Sequence, residues 1–150
     1  MGRGLLCALV LVLACTAAAS ATGDRTMVIR LKSLTVRIVP TDLPPKGLSK
    51  GDSYQGRFRL LNVVPQFGRK AGAAVGEEDE KLTLTSADTA VVVGTVTLPG
   101  GTLVYRGGGR IGSSVPIPVV RGTGRFAGAR GTLTVGGGTS PLNTYRLTLP

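Results

Sequence analysis

After residue 24 the apolar positions recur with a period of two, not 3.6, so the chain is expected to fold as strands. Ile29 and Leu31 alternate with Arg30 and Lys32. At Ser33 the phase slips by one, which a bulge or bend there would produce, and Leu34, Val36 and Ile38 are expected to face the core. Pro40 to Gly51 reads as a proline- and glycine-rich loop, and Tyr54 to Val64 as a strand stopped by Pro65. Gly68 to Gly76 reads as a short strand or extended loop, and Glu77-Glu78-Asp79-Glu80 as a solvated turn. Leu82 and Leu84 mark a further strand, and Ala90–Leu98, apolar on both faces, a central one. Pro99-Gly100-Gly101 is a hairpin turn into Thr102–Arg106, after which Gly107-Gly108-Gly109 is expected to interrupt. Ile111 to Val120 resumes, with Pro116 and Pro118 marking an edge or irregular strand. Gly131–Val135 and Thr144–Leu149 close the series around a Gly136-Gly137-Gly138 turn. Roughly eight short strands at even spacing predict an all-β barrel or sandwich, and consecutive strands with strand-like ends favour the barrel.

The first residues, MGRGLLCALVLVLACTAAASATGD, break this pattern. One Arg precedes an apolar run from Leu5 to Ala14, and small residues lead to Ala19-Ser20-Ala21, as in a secretory signal cleaved before Thr22. The run is shorter than the roughly 20 residues that span a bilayer. The expectation is a leader over 1–21 and one secreted, extracellular domain over 22–150. Val12-Leu13-Ala14-Cys15 also resembles a lipobox, so the alternative is a lipid anchor through Cys15.

Composition narrows the chemistry. Both cysteines, Cys7 and Cys15, lie in the leader, and the chain has no His and no Trp. A Ser-His-Asp or Cys-His nucleophile and a zinc site built on His or Cys are excluded, and no cofactor or metal is expected. Acid–base work falls to carboxylates, Tyr, Lys or water. Without Arg3 the chain has 17 basic and 8 acidic side chains, a net of +9, and no acidic side chain follows Asp88. Such a charge suits adsorption to an anionic cell wall or membrane, or merely a solvated surface. The cluster Arg57, Arg59, Arg106 and Arg110 reads as a solvated outer wall. Nucleic acid is not an expected partner, because the few aromatics are not interleaved with basic residues and the chain is read as exported.

The stretch VVRGTGRFAGARGTLTV (119–135) is rich in Gly and Arg. A phosphate loop needs its glycines between a strand and a helix, and here Thr132-Leu133-Thr134-Val135 continues as a strand. A tight corner, with Phe126 plugging the core, is the reading that survives. Gly122-Thr123-Gly124-x-Phe126-x-x-Ala129-Arg130-Gly131 resembles the GTGxFxxARG signature of dirigent proteins and the similar run of allene oxide cyclases. Gly51-Asp52 before a strand, and Gly68, Gly72 and Gly76, match further marks of those families over about residues 26–149. The resemblance implies an eight-stranded antiparallel barrel around an apolar pocket, a dimer or trimer, and kinship with barrels that shape polyenes for cycloaddition. The sequence departs from the dirigent pattern at Arg121, where a glycine is usual. It lacks the cyclases' first-strand glutamate, which puts oxylipin cyclisation in doubt.

In dirigent proteins pocket carboxylates and an arginine act on a quinone methide-like intermediate, so the resemblance makes Arg130 and Asp52 the candidate catalytic residues. The alternatives are that Arg130 fans over the barrel mouth or pairs with Asp52, and that Asp52 caps a turn. Tyr54, Tyr105, Tyr145 and Phe126 are candidate ligand-binding residues, or else core and interface. The expected function is binding of a small apolar or phenolic ligand in the barrel and steering of its coupling or cyclisation. The alternative is a non-enzymatic basic module on anionic cell-envelope polymer.

Overall fold

The computed structural model describes residues 23–136 and 142–150. The leader with its cleavage site and Cys15, and the turn residues Gly137 and Gly138, lie outside the described residues. Eight antiparallel strands follow one another around a closed barrel: β1 (Arg25–Thr41), β2 (Ser53–Asn62), β3 (Ala74–Leu84), β4 (Thr89–Leu98), β5 (Gly101–Arg110), β6 (Ile117–Gly122), β7 (Arg130–Val135) and β8 (Leu142–Leu149). Closure comes from β8 pairing with β1, from Arg25 opposite Leu149 to Lys32 opposite Leu142. It removes both sheet edges, because every strand is paired on both sides over at least part of its length.

Because directly opposed residues share a face, the register defines the inner wall. At one end Val75, Leu98, Leu103, Phe126, Leu147 and Leu149 are all buried and plug the barrel. Phe126 sits there on a single 3-10 turn, Gly124–Phe126, between β6 and β7. Gly124 has φ +57°, and a Cβ there would overlap the Gly100 carbonyl, so the corner needs glycine. Thr123 pins it to β5 through a 2.7 Å bond between its hydroxyl and that of Thr102, while the Arg125 guanidinium lies 5.7 Å from the ring centroids of Phe67 and Phe126. The glycine-rich stretch is thus the corner that seals the barrel.

The opposite end is open, and most corrections to the sequence reading concern strands that reach it. The phase slip in β1 falls between Thr35 and Arg37, not at Ser33. Ser33 is therefore still inward, Leu34 points outward, and Ile38 returns to the inward side opposite Gly56, near the open end. Leu34, Val36 and Ile38 are accordingly 38%, 57% and 52% exposed instead of core. Glu77-Glu78-Asp79-Glu80 is not a turn but the middle of β3. Gly107-Gly108-Gly109 does not interrupt β5; the three pair in register with Val92, Val91 and Ala90. The strand expected from Ile111 begins only at Ile117, and residues 111–116 form a loop over the open end.

Inside, the Tyr105 ring lies directly over Gly94, its cross-strand partner on β4. A methyl group there would collide with the ring, whereas one at Gly109 would meet only the Ser113 hydroxyl at 3.6 Å. Gly94→Ala should lower the thermal unfolding midpoint clearly, an overpacking cost of about 1–3 kcal/mol. Gly109→Ala should leave it within a degree or two of wild type in the same calorimetric scan.

Candidate ligand-binding site

Four consecutive acids are poor strand formers, and their side chains explain why β3 tolerates them. Glu77 and Asp79 face outward beside Arg59 and Arg57, and the Arg57 Nε donates to Asp79 Oδ1 at 2.8 Å. Glu78 and Glu80 face inward, where Tyr105 reaches across from β5. Its hydroxyl oxygen is 2.6 Å from Glu78 Oε1 and 2.6 Å from Glu80 Oε2. The other Glu78 oxygen accepts from the Ser33 hydroxyl and from Asn143 Nδ2, each at 3.2 Å, and Asn143 Nδ2 also donates to Ser33 Oγ at 3.0 Å. Residues from β1, β3, β5 and β8 therefore converge on one buried carboxyl, and only closure of the barrel brings them together.

Counting protons identifies the state of this cluster. A phenol has one proton and can donate to one carboxylate. Two short contacts to Tyr105 thus require a second proton, held by one of the two carboxyl groups. Glu78 is the natural holder: it is 2% exposed, and burial pushes its pKa above the ordinary carboxylate value. The neighbouring Glu80 charge acts in the same direction, while hydrogen bonds from Tyr105 and Ser33 oppose it. In this arrangement Glu78 donates to Tyr105, Tyr105 donates to Glu80, and the three groups together carry one negative charge. Burial, and then the neighbouring Glu78 and Glu80 carboxyl groups, keep Tyr105 far above the usual phenol range, so it stays a phenol. Tyr145, wholly buried on β8, is raised by the same causes in the same order. Its hydroxyl and the Asn143 Oδ1 have no hydrogen-bond partner among the described residues.

Glu80 is only half-buried although it points into the barrel. With the far end plugged, solvent reaches it through the open mouth. One inward step further out, about 7 Å along the strands, the register places Leu82, Val92 and Gly107. These residues line a cavity of about 190 Å³, completed by Ile117 and by Ile111 and Val115 of the β5–β6 loop. The mouth is largely apolar, and one inward step below it the register places Glu80 and Tyr105.

Of the residues singled out in the sequence, the structure brings Tyr105 and Tyr145 into this interior. Tyr54 pairs with Leu82 and lies at the rim, 36% exposed. Phe126 belongs to the plug at the other end. Asp52 spends its carboxylate on the loop before β2, accepting from the Leu43 and Ser49 amides at 2.7 and 2.8 Å, and those bonds hold its pKa down. Arg130 is exposed on the outer wall opposite Thr148, away from both Asp52 and the cavity. Glu78, Glu80, Ser33 and Asn143 were not expected. The signal for the two acids was present: extending the period of Leu82 and Leu84 backwards puts Glu80 and Glu78 on the same face.

The site is thus a half-open antiparallel barrel with an apolar mouth and an acidic floor. No protein-family model matches the chain, and neither does any curated protein. Solved structures do. A "Pyocyanin demethylase" superposes with a TM-score of 0.65 at 22% identity, covering 83% of this chain and 100% of the other. The pterocarpan synthase dirigent protein GePTS1 gives 0.63 at 18% identity, over 84% and 88%. The Diels Alderase AbmU from Streptomyces koyangensis gives 0.66 at 16% identity, over 87% and 71%. The chain has the dirigent-like barrel fold.

The raised pKa of Glu78 predicts the sign of a pH effect. The native state holds a proton that the unfolded chain releases above about 4.5, so stability falls as pH rises from there to the raised native value. Glu78→Gln, which can still donate to Tyr105 and accept from Ser33 and Asn143, should abolish that fall. Urea unfolding between pH 4 and 8 should show a declining midpoint for wild type and a flatter one for the variant.

Proposed function

We propose that this protein binds a small apolar or phenolic molecule in the open half of its barrel and steers its coupling or cyclisation. The observation that carries the reading is the pair of carboxyl groups bridged by the Tyr105 hydroxyl, one inward step below an apolar cavity. The fold neighbours, a dirigent protein and a Diels Alderase among them, support it. Apolar walls hold one conformer of the ligand, and rate enhancement by orientation alone can be large.

The floor adds acid–base capacity. When Glu78 passes its proton to Tyr105 as Tyr105 passes its own to Glu80, the extra proton moves from the buried end to the mouth without forming a phenolate. Glu80 then donates to an oxygen of the ligand, or, in the other state, accepts a proton from it. A ligand bound in the mouth would itself shield the pair from bulk solvent.

A thermal-shift panel of phenolic and polyene compounds tests the binding. At least one class should raise the unfolding midpoint of wild type, and Val92→Trp, which fills the cavity, should remove the shift. A panel that stabilises nothing would sink the reading. Tyr105→Phe should keep ligand affinity within a few-fold but lose stability by about 1–3 kcal/mol, because a buried carboxyl is left without its partner.

A second reading rests on the outer wall. Arg106, Arg121, Arg130 and Arg146 lie on exposed positions of β5 to β8, and no acidic side chain follows Asp88. Export through the leader and attachment to anionic envelope polymer would use this face. Retention on isolated cell walls should then fall steeply between low and moderate salt; salt-insensitive retention would argue against it.

A further inference from the structure

The inner wall is charged with one sign only. Between the plug and the open end, the inward register positions of the eight strands carry Glu78 and Glu80 and, among the described residues, no Lys or Arg. Arg110, the basic residue among those lining the cavity, has outward parity opposite Thr89 and has its guanidinium paired with Asp88 at 2.8 Å. The proton count leaves the Glu78–Tyr105–Glu80 cluster with one negative charge that no protein cation neutralises.

An uncompensated charge at the floor of an apolar cavity discriminates between ligands by their own charge. A ligand carboxylate would be placed beside Glu80 in a medium that screens poorly. A ligand cation would there complete a charge-assisted hydrogen bond. The net positive charge of the whole chain acts from the outer wall, through solvent in which fields decay over about 8 Å. Inside the mouth, Glu80 is the nearer charge. The cavity volume of about 190 Å³ suits one or two rings.

Resting on the ligand-binding reading above, we propose that the barrel selects apolar ligands bearing a cationic nitrogen, an amine or a protonated nitrogen heterocycle, which pairs with Glu80 while the rings lie against Leu82, Val92 and Gly107. Carboxylate ligands of the same shape are rejected.

Three probes of one shape test this: 2-naphthylmethylamine, 2-naphthalenemethanol and 2-naphthoate, titrated calorimetrically against the full chain at pH 7. The amine should bind about tenfold more tightly than the alcohol, the ratio one charge-assisted hydrogen bond supplies, and naphthoate more weakly than either. In Glu80→Gln the amine's advantage should vanish with the alcohol's affinity unchanged, and Val92→Trp should abolish binding of both. An alcohol or naphthoate that binds wild type as tightly as the amine overturns the proposal and leaves the ligand-binding reading intact. So does an amine preference that survives Glu80→Gln, or amine binding that survives Val92→Trp. If a folded wild type binds none of the three, the proposal falls, and the separate phenolic and polyene panel decides the broader reading. Should Glu80→Gln not fold, the wild-type order still decides.

Discussion

The pairing of β8 with β1 is the constraint on which the other features depend. Without it the chain is an open sheet whose inner face meets water, and Ser33 and Asn143, from its first and last strands, never meet Glu78 from its middle. Closure turns a period-two pattern into an inside and an outside. It also makes burial of an acid possible, because four strands can each contribute one group to the same point.

What the closed barrel then does with its interior is asymmetric. One end is packed with aliphatic side chains and Phe126, stabilised by ordinary apolar burial. The middle holds the carboxyl pair, whose burial would be prohibitive if both were ionised and is tolerable when a phenol and one proton link them. The other end is left unfilled, with Ile38, Ile111 and Val115 exposed around it. The apolar packing lies in the first third, the buried carboxyl cluster in the second and the cavity in the last. Glycines serve the middle and the mouth: Gly94 accepts the Tyr105 ring against its backbone, and Gly107 lets Ile117 pack closely against β5.

Much of the architecture was legible in the sequence. The alternation, the turn glycines and the corner at Gly122–Gly131 pointed to a barrel with its strands in order, because each of these is a local property. The errors also have local causes. Leu34 and Ile38 look like core by composition, but where a bulge falls is decided by the partner strand, so the slip could not be placed at Thr35/Arg37 from β1 alone. The four acids looked like a turn because propensity speaks for single residues. In the barrel two of them are answered by arginines of β2 and two by a tyrosine from β5. Among the candidate site residues, Tyr105 and Tyr145 reach the interior, whereas Asp52 is bound up in its loop and Arg130 stands outside.

The sequence by itself determined the fold class, the strand order and the absence of histidine and thiol chemistry from the domain. These follow from periodicity, turn chemistry and composition, which need no knowledge of what lies opposite. The protonation of Glu78, the role of Tyr105 as a bridge and the sign of the charge in the mouth were decided only by tertiary structure. Each depends on groups 25 to 65 residues apart being held within hydrogen-bond distance in a space from which water is largely excluded.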